Sequence, residues 1–83
     1  MYNMAATTMT GSEFKELMKN LGYTQIALAH RWGVVRQTIA RLCQADWVDP
    51  VYADALMGIV MERSFAGASS LLPKSLKVRL LGA

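Results

Sequence analysis

A single glycine, Gly33, separates two short runs of helix-forming residues in "TQIALAHRWGVVRQTIARL", Thr24 to Leu42. Glycine takes a left-handed backbone conformation without steric penalty, so it can end one helix and turn the chain into the next. Thr24 can cap the first run, Gln25 to Trp32, whose Leu28, Ala29 and Trp32 fall on one face. The second run, from about Val35 to Cys43, places Val35, Ile39 and Leu42 inward. The helical period then puts Arg36, Gln37, Ala40, Arg41 and Gln44 on the opposite face.

Similar punctuation divides the rest of the chain. Thr10 and Glu13 have capping-box spacing, and Phe14, Leu17, Met18 and Leu21 follow as an amphipathic stripe. Gly22 is a stop signal, which predicts a helix from about Gly11 to Asn20. Asp49 and Pro50 pair an acidic cap with a proline at the first helical position, opening a helix that runs to about Arg63. That helix presents Tyr52, Leu56, Ile59 and Val60 on one side, with Ala53, Met57 and Met61 as a second apolar edge.

The first nine residues have no periodicity and are expected to be disordered. "GASSLLP" has the composition of a linker. In "SLKVRLL", Leu76, Val78 and Leu80 alternate with Lys77 and Arg79 as in a strand, while Leu72, Leu76 and Leu80 also align on one helical face. Strand and short helix both stay open there. The expected fold is therefore mainly all-α: a four- to five-helix bundle over residues 10–63, then a linker and dimerisation tail over 64–83.

A chain of 83 residues is one domain with a single small core. Its 53% hydrophobic content suggests more apolar surface than one copy can bury, with Met57, Met61, Leu71, Leu72, Leu76, Val78 and Leu80 as candidates for pairing two copies. One cysteine, Cys43, excludes an internal disulfide and a cysteine-based zinc site, and His30 is the only histidine. No metal, cofactor or small-molecule ligand is expected. No apolar run reaches the length of a membrane span and "MYNMAATTM" lacks the pattern of a signal peptide, so a cytoplasmic protein is expected.

The net charge of +3 is less informative than its distribution. Between Tyr23 and Ala45 stand Arg31, Arg36 and Arg41 and no acid. Residues 46–63 carry Asp46, Asp49, Asp54 and Glu62 against Arg63, and the tail carries Lys74, Lys77 and Arg79 alone. Two basic segments flank an acidic one.

Helix, glycine turn and helix, with the small Ala29 at the crossing and Val34 and Ile39 plugging the angle, is the pattern of a helix-turn-helix. Its second helix is free to protrude. Arginine can give two hydrogen bonds to a guanine edge and glutamine can do the same with adenine, so Arg36, Gln37 and Arg41 suit the major groove of double-stranded DNA. Ala40 permits close approach or touches a thymine methyl. Gln25, at the positive end of its helix, can bond a phosphate and brace the next helix, and Thr24, Thr38 and Gln44 are expected at phosphates as well.

From Thr10 to Gln44 the chain resembles the lambda-repressor and Cro-like helix-turn-helix family, through "LGYTQIALAHRWGV" followed by "RQTIARL". The resemblance implies a compact helical bundle and operator binding by dimers that repress transcription. The family's usual glutamine, alanine and turn glycine match Gln25, Ala29 and Gly33, and its base-reading positions fall on Arg36, Gln37, Ala40 and Arg41. The chain departs from it at Val35, where serine or threonine is usual, and at Ile26, which is commonly polar there. Val35 can instead meet a thymine methyl. Past Leu42, "CQADWVDP" does not follow the common pattern.

Trp32 and Trp47 are expected in the core, Cys43 as a partly buried hydrophobe and His30 as an exposed side chain. Catalysis is not expected, because no nucleophile has a spaced base partner and no phosphate-cradling glycine loop is present. The expected function is a phage- or bacterial-type transcription regulator, a repressor or autorepressor that binds a palindromic operator as a homodimer. The rival is a protein-binding module, such as an antitoxin or small inhibitor, that uses the same fold and an apolar C-terminal half.

Overall fold

The computed structural model describes residues 8–63 and 71–81. Within them lie five helices and no strand: α1 (Gly11–Asn20), α2 (Gln25–Trp32), α3 (Arg36–Gln44), α4 (Pro50–Arg63) and α5 (Lys74–Leu81). None of the helices there is long and apolar enough to cross a membrane.

The start and stop signals act as their chemistry predicts. Thr10 Oγ1 accepts from the Glu13 amide at 3.1 Å and Glu13 Oε1 accepts from the Thr10 amide at 2.9 Å, closing the capping box of α1. Two left-handed glycines, Gly22 at φ 86° and Gly33 at φ 69°, end α1 and α2. Both ends use the same hydrogen-bond pair: Tyr23 N to Met18 O with Gly22 N to Lys19 O, and Val34 N to Ala29 O with Gly33 N to His30 O. Asp49 Oδ1 accepts from the Val51 amide at 2.9 Å and so caps α4.

Phe14, Leu17, Met18, Leu28, Ile39, Ala53, Leu56, Ile59 and Val60 form the centre of one core, with α1 and α2 packed on α3 and α1 also on α4. Trp32 sits at its edge between the rings of Phe14 and Tyr52, with centroids at 6.2 and 5.8 Å. The approach of α1 to the end of α3 is closest at Gly11, whose amide donates to Ala45 O at 2.9 Å.

Four expectations are corrected. Val35 is not inward: it is the extended residue before α3, outside the helical period, and is 63% exposed. Trp47 is not in the core: it lies in the loop after α3, 60% exposed, with the Arg79 guanidinium 5.5 Å from its ring centroid. Met9 belongs to the stretch expected to be disordered, yet it is fully buried and its carbonyl accepts from the Val48 amide at 2.8 Å. Residues 1–7 of that stretch lie outside the described residues.

The fourth correction concerns Leu72 and Leu76 as residues that pair two copies. Lys74–Leu81 is a helix, and Leu72 and Leu76, four residues apart, are buried in the chain's own core. Glu13, itself buried, receives the Ser75 hydroxyl and the Arg79 guanidinium, so a buried carboxylate fastens α5 to the start of α1. Asn20 Nδ2 adds a bond to the Leu71 carbonyl at 2.8 Å. Leu72 and Leu76 therefore have no free surface for a second copy. The side chain of Leu80 and residues 64–70, which include the start of the expected linker, lie outside the described residues.

Candidate nucleic-acid interface

Gly33, Val34 and Val35 carry the chain from α2 into α3. The crossing is close because Ala29, nearly fully buried, presents only a methyl group to it, and Ile39 fills the angle from the α3 side with no exposed surface. Val34 packs against the same core at the turn. Held by α1 and α2 on its inner face, α3 turns Arg36, Gln37, Arg41 and Gln44 to solvent, with Thr38 and Ala40 half-buried between them.

The ends of the two helices are joined by side chains. Arg36 Nη1 donates to Gln25 Oε1 at 3.1 Å, so the first residue of α2 holds the first residue of α3. Gln25 also bonds the Cys43 thiol, whose pKa burial pushes up against the opposing effects of that bond and of nearby Lys15. Cys43 is thus a half-buried thiol kept in its neutral form, as expected for a small hydrophobe. Thr24 Oγ1 accepts from the Ala27 amide at 3.0 Å, which caps α2 and leaves the hydroxyl hydrogen free to donate.

Not all of the basic charge counted in this segment faces the same way in its interactions. Arg31 forms an ion pair with Glu62 at 3.0 Å and donates to the Tyr23 hydroxyl at 2.8 Å. Arg63 lies 5.7 Å from the same tyrosine ring centroid. Sequence alone gave no signal for this cluster, because Glu62 is thirty-one residues from Arg31. Gln37 and Arg41, by contrast, make no hydrogen bond or ion pair among the described residues. His30 is exposed.

The candidate pairing residues divide. Met61 and Val78 are 53% and 48% exposed, Met57 and Leu71 are half-buried against the core, and Leu72 and Leu76 are buried. In the tail, Arg79 is committed to Glu13 and the Thr8 carbonyl, while Lys74 is exposed and Lys77 half-buried. The described residues contain no group of three or more His, Cys, Asp or Glu side chains that could hold a metal ion.

What the arrangement offers chemically is a short helix with a guanidinium held at its start, a second guanidinium one turn further on and an amide between them. These are donors of the right kind for base edges and phosphates, on a face without a carboxylate. Comparison of the chain with protein-family models, with curated proteins and with solved structures finds no match in any of the three.

Proposed function

We propose that this protein binds double-stranded DNA sequence-specifically, with α3 in the major groove, and regulates transcription as a repressor. The observation that carries this reading is the solvent face of α3: Gln37 and Arg41 without partners among the described residues, beside an Arg36 that Gln25 holds in place. A helix face meant only for solvent needs neither the brace nor the absence of acids. Arg36, Gln37, Ala40 and Arg41, with Val35, read bases; Gln25, Thr24, Thr38 and Gln44 meet phosphates. Resemblance to the lambda-repressor and Cro-like family supports the same assignment through Gln25, Ala29 and Gly33.

A recognition helix of this length reads only a few base pairs, so useful selectivity against a genome needs two copies on a palindromic site. Met61 and Val78 are the exposed apolar residues that best serve such pairing, with Met57 beside Met61. Selection of bound sequences from a random DNA pool, followed by gel-shift titration, tests the reading: a palindromic consensus supports it, and recovery of no sequence preference rejects it.

One observation favours a second reading. Val51 on α4 is 71% exposed and Met61 lies on the same helix, which would suit a protein ligand docked against α4, as in an antitoxin or small inhibitor. Binding of DNA at ordinary salt with no sequence preference, together with a stable protein complex, would favour it.

A further inference from the structure

We propose that Ile26 and Val35 form an apolar edge that takes thymine 5-methyl groups at one end of the DNA half-site, selecting thymine there without a hydrogen bond to the base. This inference rests on the DNA-binding reading above. Ile26 is 68% exposed and Val35 63%, and they flank one contact: Ile26 follows Gln25, Val35 precedes Arg36, and Gln25 and Arg36 are bonded at 3.1 Å. Two branched side chains therefore stand beside the same polar pair, at the N-terminal ends of both helices.

The fold does not ask for either residue. Val35 is the N-cap of α3 and makes no side-chain cap hydrogen bond, where Ser, Thr, Asp or Asn would satisfy a helix amide. Ile26 lies on the far side of α2 from the buried Leu28 and contributes nothing to the core. Single exposed hydrophobes are ordinary on a protein surface. A pair of them beside the cations of a candidate DNA face is different, because a surface that met only phosphates would use polar residues at both places.

Among the bases, thymine alone presents a methyl group in the major groove, and its natural partner is an apolar side chain. Valine and isoleucine are stiff at χ1, so little side-chain freedom is lost on contact. Continuity with Arg36 places the contact at the edge of the bases that Arg36 and Gln37 read, rather than at a separate site.

The test uses the full-length protein and the DNA it selects from a random pool. Each thymidine is replaced in turn by deoxyuridine, which removes the methyl group and leaves the base-pairing edge unchanged. At one or two positions per half-site, uracil should lower wild-type affinity by about fourfold, the worth of burying one methyl-sized group. Ile26→Ala and Val35→Ala, both at exposed positions, should keep the wild-type unfolding midpoint, bind the thymine site more weakly and no longer distinguish it from the uracil site. A wild-type protein indifferent to uracil at every thymine overturns the apolar edge, as does an undiminished uracil penalty in both variants. Either result leaves the DNA-binding reading standing. Recovery of no preferred sequence overturns both.

Discussion

Arg36 is held 3.1 Å from Gln25 across the turn between α2 and α3, so the guanidinium that begins the candidate recognition helix is positioned by the helix before it. Positioning matters because a bidentate contact tolerates little error in direction. Gln25→Ala should cost less than about 1 kcal/mol of stability, since the bond is exposed, yet weaken DNA binding and broaden preference at the base pair facing Arg36. Gln25→Glu should weaken it further, because the new carboxylate pairs with Arg36 and repels phosphate. Thermal unfolding and gel-shift titration of both variants check this. Wild-type affinity and base preference for Gln25→Ala would show that the brace has no part in binding.

Gln37 and Arg41 lack internal partners among the described residues, so removing them should leave the fold intact. Gln37→Ala and Arg41→Ala should each cost about 1 to 3 kcal/mol of specific binding and relax preference at one base pair. Equal losses on specific and random DNA would instead assign the side chain to phosphates.

Glu13 gives the fold a defined acid sensitivity. Burial works to raise its pKa, but hydrogen bonds from the Ser75 hydroxyl, the Thr10 amide and Arg79 outweigh burial and hold the carboxyl below its ordinary range. A carboxylate whose folded pKa is depressed contributes stability that is complete above its unfolded pKa and is lost as pH falls through the folded one. Urea unfolding at about pH 6 and about pH 3 should therefore show a larger acid-induced loss in the wild type than in Glu13→Gln. At the higher pH the variant should be less stable by about 1 to 2 kcal/mol, because glutamine keeps the capping-box acceptor for the Thr10 amide but gives up the charge-assisted bond from Arg79.

The four helices before residue 64 are legible because α1, α2 and α4 carry residues with one strong local preference at their ends, Thr10 with Glu13, Gly22, Thr24, Gly33 and Asp49 with Pro50, while α3 follows the turn at Gly33 and shows its own apolar period. The tail is not, since "SLKVRLL" satisfies both periods and only its partners decide between them. Those partners are Glu13, which Ser75 and Arg79 reach, and the core around Leu76, and Glu13 already has a complete local role in the capping box. Trp47 departs from expectation for a related reason: it is aromatic, but it belongs to a loop outside any helical period, and its neighbour there is Arg79, thirty-two residues away in the sequence. The residues of the candidate site followed from the period of α3, whereas the bond that orders Arg36 depends on the crossing of two helices.

Gly11 and Gly58 should respond oppositely to alanine. A Cβ on Gly11 would lie 2.5 Å from Ala45 O, 2.7 Å from Cys43 O and 2.8 Å from Ala45 N, all backbone atoms that cannot turn aside. Gly11→Ala should therefore destabilise by about 1 to 3 kcal/mol as the start of α1 and the end of α3 move apart. A Cβ on Gly58, within α4, would meet nothing within 4 Å, so Gly58→Ala should stabilise by roughly 0.5 to 1 kcal/mol through helix propensity. Chemical denaturation of the two variants distinguishes them, and a stabilised Gly11→Ala would contradict the described approach of α1 to α3.

Pairing of two copies is best tested on the surface, because truncation of the tail would remove Leu72 and Leu76 from the core and confuse unfolding with dissociation. Met61→Glu and Val78→Glu change exposed residues on α4 and α5 and leave the core untouched. If these residues pair the copies, the double variant should keep its helical signal and unfolding cooperativity while light scattering at micromolar concentration falls from the dimer mass to the monomer mass. Affinity for a palindromic site should fall with it, because each monomer then binds its half-site independently, whereas affinity for an isolated half-site should change little. A wild type that is monomeric yet binds its palindrome tightly removes the need for this interface. A double variant that stays fully dimeric moves the interface elsewhere, with Val51 on α4, 71% exposed, as the next residue to change.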